Sequence, residues 1–315
     1  MFNSVAEAVG RTPLVALDRL AKGLPGRVAV KLEFFSPGGS VKDRPALWSL
    51  ERAEESGELR KGQCVVEVTS GNMGAGLAWA CAVKGYRFIA VMSAGNTPER
   101  RRMIQAFGGR VVLVPQVKGA RKGQVSREDL QQVEKRGAQL VRKLKAYRPD
   151  QFNNPAAVVA HERGTGPEIW EQSGGKVTHF VSFVGSAGTL IGTARALKAR
   201  NPRVRCLCAE PARTQFLAGE IVQSTSHVIQ GGGYGLLPGI YDDRLVDEFI
   251  AVGDAEAIRT ARALAAKEGI LGGYSSGANV AAALKLARKA KRGSLIVTVC
   301  CDTGLKYLST PLYPG

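Results

Sequence analysis

The feature that most constrains this chain is a rhythm. Short, nearly continuous apolar runs alternate with amphipathic stretches of ten or more residues. The runs fall at 28–33, 64–68, 88–92, 110–115, 179–184, 204–210, 249–252 and 295–300, as in CVVEV and LIVTVC. Runs apolar throughout, rather than at every second position, are what strands buried on both faces require. Helical periodicity fills the intervals at 41–56, 73–84, 98–107, 255–268 and 276–288. Strand, helix, strand in that order predicts an α/β protein with mostly parallel, twisted sheets flanked by helices. At 315 residues, two domains or one large α/β unit are expected.

Charge and composition narrow the function classes. Forty-four Lys and Arg stand against 27 Asp and Glu, a net charge of +17. Such a balance suits anionic partners. The cations are scattered, however, with no recognition-helix, zinc-finger or RNP pattern beside them, so no nucleic-acid partner is expected. No apolar stretch reaches 18 residues, which predicts no membrane-spanning helix. The start, MFNSVAEAVGRTPLV, lacks the pattern of a secretory signal. Six cysteines sit mostly in strand-like runs without a C-x-x-C pair, and three histidines lack zinc spacing. Buried free thiols, a cytoplasmic location and no metal site are the expectation.

Three turns rich in small residues lie where such folds keep their sites, beyond the carboxyl ends of strands. The first is Thr69-Ser70-Gly71-Asn72-Met73-Gly74, after CVVEV. Its hydroxyls and free N–H groups at a helix start suit a carboxylate. It reads equally well as a simple N-cap. The second is Gly185-Ser186-Ala187-Gly188-Thr189, which allows close backbone approach to a phosphate. It has neither the Walker lysine nor G-x-G-x-x-G spacing, which disfavours ATP and NAD. The third is SPGGSVKDR, placing Lys42 at a helix start. A lysine is unfavourable there, and its depressed pKa would suit a Schiff-base amine. A surface lysine reaching into water is the plainer alternative.

Together with VGRTPLV, PERRRMIQAFGGRVVLV, DQFNNPA, TGPEIW, IQGGG, GILGGYSSGANVAAAL and DTGLKYLSTPLY, these turns recur in an order that resembles the cysteine synthase (O-acetylserine sulfhydrylase) family. These are pyridoxal-phosphate-dependent enzymes of the β-family with the type II, tryptophan synthase β-like fold. The resemblance spans nearly the whole chain. It implies a smaller domain at 36–153 and a larger one built from 1–35 plus 154–315. It implies a homodimer acting on a small amino acid and a sulfur nucleophile.

The same resemblance implies roles for single residues. Lys42 would carry the cofactor and act as the base. Asn72 would bond the cofactor's ring oxygen, Gly185, Ser186, Ala187, Gly188 and Thr189 would cradle its phosphate, and Ser275 would meet its pyridine nitrogen. Thr69, Ser70, Gly71, Asn72, Met73 through its backbone, and Gln151 would grip the substrate carboxylate. Gly231 and Gly232 would lie at the mouth. A neutral partner at the ring nitrogen makes a weaker electron sink, favouring loss of a β-substituent. The implied reaction is β-replacement giving L-cysteine from O-acetyl-L-serine and sulfide through an aminoacrylate intermediate. The alternative is a sister β-replacement using O-phosphoserine, thiosulfate or another nucleophile, resembling S-sulfocysteine synthase or cystathionine β-synthase.

Four departures from the family pattern bear on the donor and nucleophile. Ser36 stands for an Asn. Met73 stands for a Thr and removes a hydroxyl beside the carboxylate site. Ser186-Ala187 stands for Thr-Gly, where Ala187 fits if its φ is negative. A basic stretch, KGARKGQVSREDL, carries Arg121 and Lys122 and is expected as an exposed loop, with Ser126 capping the next helix. Cations there would favour anionic substrates.

Overall fold

A computed structural model describes residues 1–118, 125 and 127–313. Arg121, Lys122 and Ser126 lie outside the described residues.

Two sheets carry the strands. The first contains β1 (Leu14–Ala16), β2 (Arg27–Leu32), β6 (His179–Phe183), β7 (Arg205–Pro211), β8 (Glu248–Val252) and β9 (Leu295–Cys300), in the order β1-β2-β9-β6-β7-β8. All its pairings are parallel except the antiparallel edge strand β1. The second is an all-parallel sheet of β3 (Cys64–Val68), β4 (Arg87–Ser93) and β5 (Arg110–Val114). Each expected run forms a strand, and β1 is one the sequence did not announce.

Alternation along the strands divides the core. In the smaller sheet, Val65, Phe88 and Ala90 pack with α1 (Asp43–Ser56), α2 (Asn72–Lys84) and Ile104 of α3 (Pro98–Ala106). Their neighbours Cys64, Val66, Ile89 and Val91 face Val133 of α4 (Arg127–Leu144). In the larger sheet, Val28, Val30, Val181 and Leu207 face α8 (Asp254–Glu268) and α9 (Tyr274–Lys289). Ala29, Phe180, Cys206 and Val297 face α7 (Gly188–Arg200). Two buried faces per strand explain why the runs lack polar alternation. The helices stop where glycine takes the left-handed conformation, as at Gly57 (φ 79) and Gly85 (φ 77).

The strand order of the larger sheet turns back between β9 and β6. These strands pair only at His179–Ile296 and Phe180–Val297, then diverge. Asn279 of α9 fills the fork. Its Oδ1 accepts the Phe183 N–H at 2.6 Å, and its Nδ2 donates to the Val299 carbonyl at 2.9 Å. One fully buried amide thereby satisfies backbone groups that the parting strands leave open. The crevice beyond such a reversal is where open α/β sheets bind ligands.

A buried charge cluster fixes the start of α1 against this sheet. Arg44 donates to Glu33 at 2.7 and 2.9 Å and to Glu168 at 2.6 and 2.8 Å, while Lys31 pairs with Glu168 at 2.6 Å. Two cations and two carboxylates balance. Against the effect of burial, Arg44 and then Lys31 hold the Glu168 carboxyl down at about 2. Glu33 directly follows β2, and Glu168 lies on α6 (Gly166–Gln172), the next α-helix but one after α4, α5 being Ala156–Ala160, so the residues just before Arg44 have a fixed position.

Candidate active site

Lys42 is the residue immediately before α1. The chain leading to it runs beside the end of β9. Val41 N donates to the Cys301 carbonyl at 2.7 Å, and Ser40 bridges Asp302. Burial lowers the Lys42 pKa, with Cys301 opposing the shift. Among the described residues its amine has no hydrogen-bonded acceptor. A desolvated amine without a carboxylate partner is poised for nucleophilic or base chemistry.

Ser275 opens α9 on the same side. Its hydroxyl lies close enough to the Cys301 thiol to lower that thiol's pKa. Burial, with Asp302 adding, pushes that thiol up to about 12, so Ser275 faces a neutral group. Cys301 also interacts electrostatically with Lys42, which places Lys42, Cys301 and Ser275 around one spot beyond β9.

The turn after β6 is built for an anion. Ala187 has φ +70 and ψ −17, left-handed, and precedes Gly188 at the first turn of α7. This corrects the expected negative φ. A left-handed residue ahead of a right-handed turn makes successive N–H groups converge in an anion-binding nest, and the geometry requires the sign that alanine disfavours. Thr189 Oγ1 lies 3.2 Å from His161 Nε2, whose Nδ1 is 2.9 Å from Thr165 Oγ1. Burial, then Arg44 and Lys42, hold the His161 pKa well below its usual value, so the ring is neutral. Gly231 and Gly232 press on this turn. A Cβ on Gly185 would overlap the Gly231 carbonyl, and one on Gly232 the Val184 carbonyl.

The turn after β3 is the third wall. Thr69 is buried, Gly71 is the cap of α2, and Asn72 is its first residue. Ser70 Oγ accepts from Arg100 Nη1 at 3.1 Å. Asn72 Nδ2 donates to Asp302 Oδ2 at 2.8 Å, and its Oδ1 accepts from Lys306 Nζ at 2.9 Å. The Met73 side chain is 3% exposed and packs in the core of the smaller sheet. The methionine that stands for threonine therefore does not line the site with its side chain. An apolar chain at this helical position follows the α2 face that covers β3 and β4, and only its backbone N–H remains at the helix start.

Gln151 lies in the turn at 151–153, half-buried, and the structure joins it by no hydrogen bond to the other candidates among the described residues. Its neighbour Phe152 accepts from Ile240 N at 3.2 Å and meets the Tyr234 ring edge-on at 5.8 Å. Reading by motif passed over Cys301, Asp302, Lys306, Arg100 and His161. Two of the quoted segments, DTGLKYLST and PERRR, contain three of these residues without marking any as functional. Among the described residues no group of His, Cys, Asp or Glu could hold a metal ion, and no helix is long and apolar enough to cross a membrane.

These features define a catalyst with a desolvated lysine, a backbone anion nest and a neutral hydroxyl at a sheet switch point. Residues 5–302 match the family described as "Pyridoxal-phosphate dependent enzyme". The chain belongs to it, as a pyridoxal-phosphate-dependent enzyme of the cysteine synthase family with the type II α/β fold. It is 41% identical to O-ureido-L-serine synthase of Streptomyces lavendulae over 100% of this chain and 94% of that one. It is 39% identical to a cysteine synthase of Staphylococcus aureus over 99% and 97%. The structure of O-acetylserine sulfhydrylase isoform 3 from Entamoeba histolytica superposes with a TM-score of 0.92 at 36% identity, covering 99% of this chain and 92% of that one.

The residues present fit the family's cofactor. The nest at 185–189 suits its phosphate, the Gly185 and Gly232 positions have no room for a Cβ, and the Lys42 amine is desolvated.

Proposed function

We propose that this enzyme makes L-cysteine from O-acetyl-L-serine and sulfide by β-replacement. Ser275 carries the reading. Its described neighbour is an uncharged thiol rather than a carboxylate, so it offers a ring nitrogen a hydroxyl and no negative charge. Without an anion to keep that nitrogen protonated, a β-leaving group departs more readily than a long-lived carbanion forms. Pyridoxal phosphate supplies the electron sink when bound.

The chain's own residues do the rest. Lys42 would hold the cofactor and, with the amino acid bound, would remove its Cα proton as general base. Acetate leaves from Cβ and hydrosulfide adds there. Lys42 then returns the proton to Cα and displaces the product, a ping-pong cycle. Asn72 would bond the ring oxygen, and Gly185, Ser186, Ala187, Gly188 and Thr189 would bind the phosphate through backbone N–H groups and hydroxyls. Thr69, Ser70, Gly71, Asn72 and the Met73 N–H, with Gln151, take the substrate carboxylate at the start of α2. Gly231 and Gly232 border the entrance. On the same reading the chain divides at 36–153 against 1–35 plus 154–315, works as a cytoplasmic homodimer, and closes its smaller part over bound substrate to exclude water.

The 41% identity to O-ureido-L-serine synthase supports a second reading, in which an oxygen nucleophile replaces sulfide. A β-replacement yielding an O-ureidoserine calls for hydroxyurea. The test offers O-acetylserine, and separately O-phosphoserine, with sulfide, thiosulfate or hydroxyurea, and compares kcat/KM for each product. Cysteine formed fastest from O-acetylserine and sulfide supports the first reading. Faster O-ureidoserine formation replaces it with the second. No replacement product with any pair overturns both.

A further inference from the structure

Asn72 is held at both ends of its amide. Nδ2 donates to Asp302 Oδ2 at 2.8 Å, and Oδ1 accepts from Lys306 Nζ at 2.9 Å. Amide oxygen and nitrogen have nearly the same outline, so contact geometry alone leaves such a group two ways round. Partner chemistry decides here. A lysine amine at this point donates, and a carboxylate oxygen accepts, so the amide oxygen faces Lys306 and the nitrogen faces Asp302.

Both partners are themselves fixed. Asp302 is fully buried, and its Oδ2 also accepts from the Tyr307 hydroxyl at 2.6 Å. Tyr307 packs edge-on against Tyr274, centroids 5.4 Å apart. A Cβ at Gly273 would overlap Asp302, so the start of α9 abuts the carboxylate. Lys306 lies beside two acids, Asp302 and Asp43, that sustain a charge burial opposes. Even so, among the described residues its amine forms no ion pair and bonds the Asn72 oxygen instead. An ammonium on the carbonyl draws electrons from the amide and makes its N–H groups stronger donors.

We propose that Lys306 is a positioning residue: with Asp302 it orients the Asn72 amide so that the Nδ2–H not used by Asp302 faces the ring oxygen of bound pyridoxal phosphate. This rests on the roles of Lys42 and Asn72 given above. A donor at that oxygen favours its deprotonated form, with the proton on the nitrogen shared with Lys42. That form absorbs visible light, whereas the form protonated on oxygen absorbs in the near ultraviolet.

The test uses the purified holoenzyme at fixed pH and reads the ratio of the two absorption bands, with cofactor affinity measured by titrating the apoenzyme. Lys306→Met should lower the visible-to-ultraviolet ratio by roughly twofold or more, the effect of one net hydrogen bond, and weaken cofactor binding. Lys306→Arg should restore both. In an Asn72→Ala background Lys306→Met should change nothing further, because its route to the cofactor is gone. Lys306→Leu, which likewise removes both donor and charge, serves the same comparison if the methionine variant does not fold. An unchanged ratio in cofactor-loaded Lys306→Met or Lys306→Leu overturns the proposal, as does an equal shift with and without Asn72. Wild-type protein that takes up no cofactor would instead defeat the reading of Lys42 itself, so the two failures are distinct.

Discussion

Arg100 bonds Gln230 and so ties together two separate turns of the candidate site. The Arg100 guanidinium, on α3 beside the smaller sheet, donates through Nη2 to Gln230 Oε1, while Nη1 holds Ser70. Gln230 directly precedes the glycines that press on the turn at 185–189. The candidate carboxylate loop is thus tied to the rim through one half-buried side chain. Arg100→Ala should let the loop sample open positions and raise KM for the amino-acid substrate by about tenfold, with a smaller change in kcat. Steady-state kinetics at saturating sulfide checks this. An unchanged KM would mean that the tie does not hold the loop.

Ala187 pays a backbone cost at φ +70 that glycine would avoid. Ala187→Gly should stabilise the protein by about 0.5–1 kcal/mol, the strain relieved less the added freedom of the unfolded glycine. Equilibrium denaturation reads the change. The cofactor phosphate should bind no more weakly, since the N–H groups remain.

Met73 separates a packing role from a specificity role. With its side chain in the core, Met73→Ala should cost about 2–5 kcal/mol and Met73→Leu less than about 1.5 kcal/mol. Neither should alter the preference between O-acetylserine and O-phosphoserine. A changed donor preference with unchanged stability would place the side chain in the site.

Glu67 makes stability fall as pH rises. Burial raises its pKa from 4.5 to about 7, outweighing Arg148 and the Val68 N–H. Between those values the folded chain keeps a proton that the unfolded chain has lost. The favourable contribution is complete below 4.5 and is lost as pH climbs through 7, a difference of up to about 3 kcal/mol. Glu67→Gln keeps an acceptor for Val68 and removes the titration. The stability gap, variant minus wild type, should therefore grow between pH 5 and pH 8, as measured by urea unfolding. A gap independent of pH would show that Glu67 does not titrate there.

The parts of this molecule that local pattern can encode were legible. Strands buried on both faces announce themselves as apolar runs, and turns that approach ligands announce themselves as clusters of small residues. β1 did not, because it is three residues long and Val15 is exposed. The support for Asn72 was hidden for a different reason. Asp302 lies 230 residues away and Lys306 lies 234 away, so neither belongs to a local pattern with it. Arg100 reads in sequence as one of three adjacent arginines on a helix, and only the fold distinguishes the one that reaches Gln230. The left-handed Ala187 ran against the preference of its own residue type, which is why reading the residue alone assigns it the wrong sign.

The central claim is that Lys42, of three desolvated lysines, carries the cofactor. Burial lowers the pKa of Lys31, Lys42 and Lys306 alike, but Lys31 is paired with Glu168 and Lys306 bonds Asn72. Borohydride reduction of the yellow holoenzyme, followed by peptide mass mapping, identifies the attached residue directly. The account expects the reduced pyridoxyl group on Lys42, and its loss in a folded Lys42→Ala variant that no longer turns over. A pyridoxyl group on Lys31 or Lys306, or β-replacement at near wild-type rate in Lys42→Ala, would contradict it.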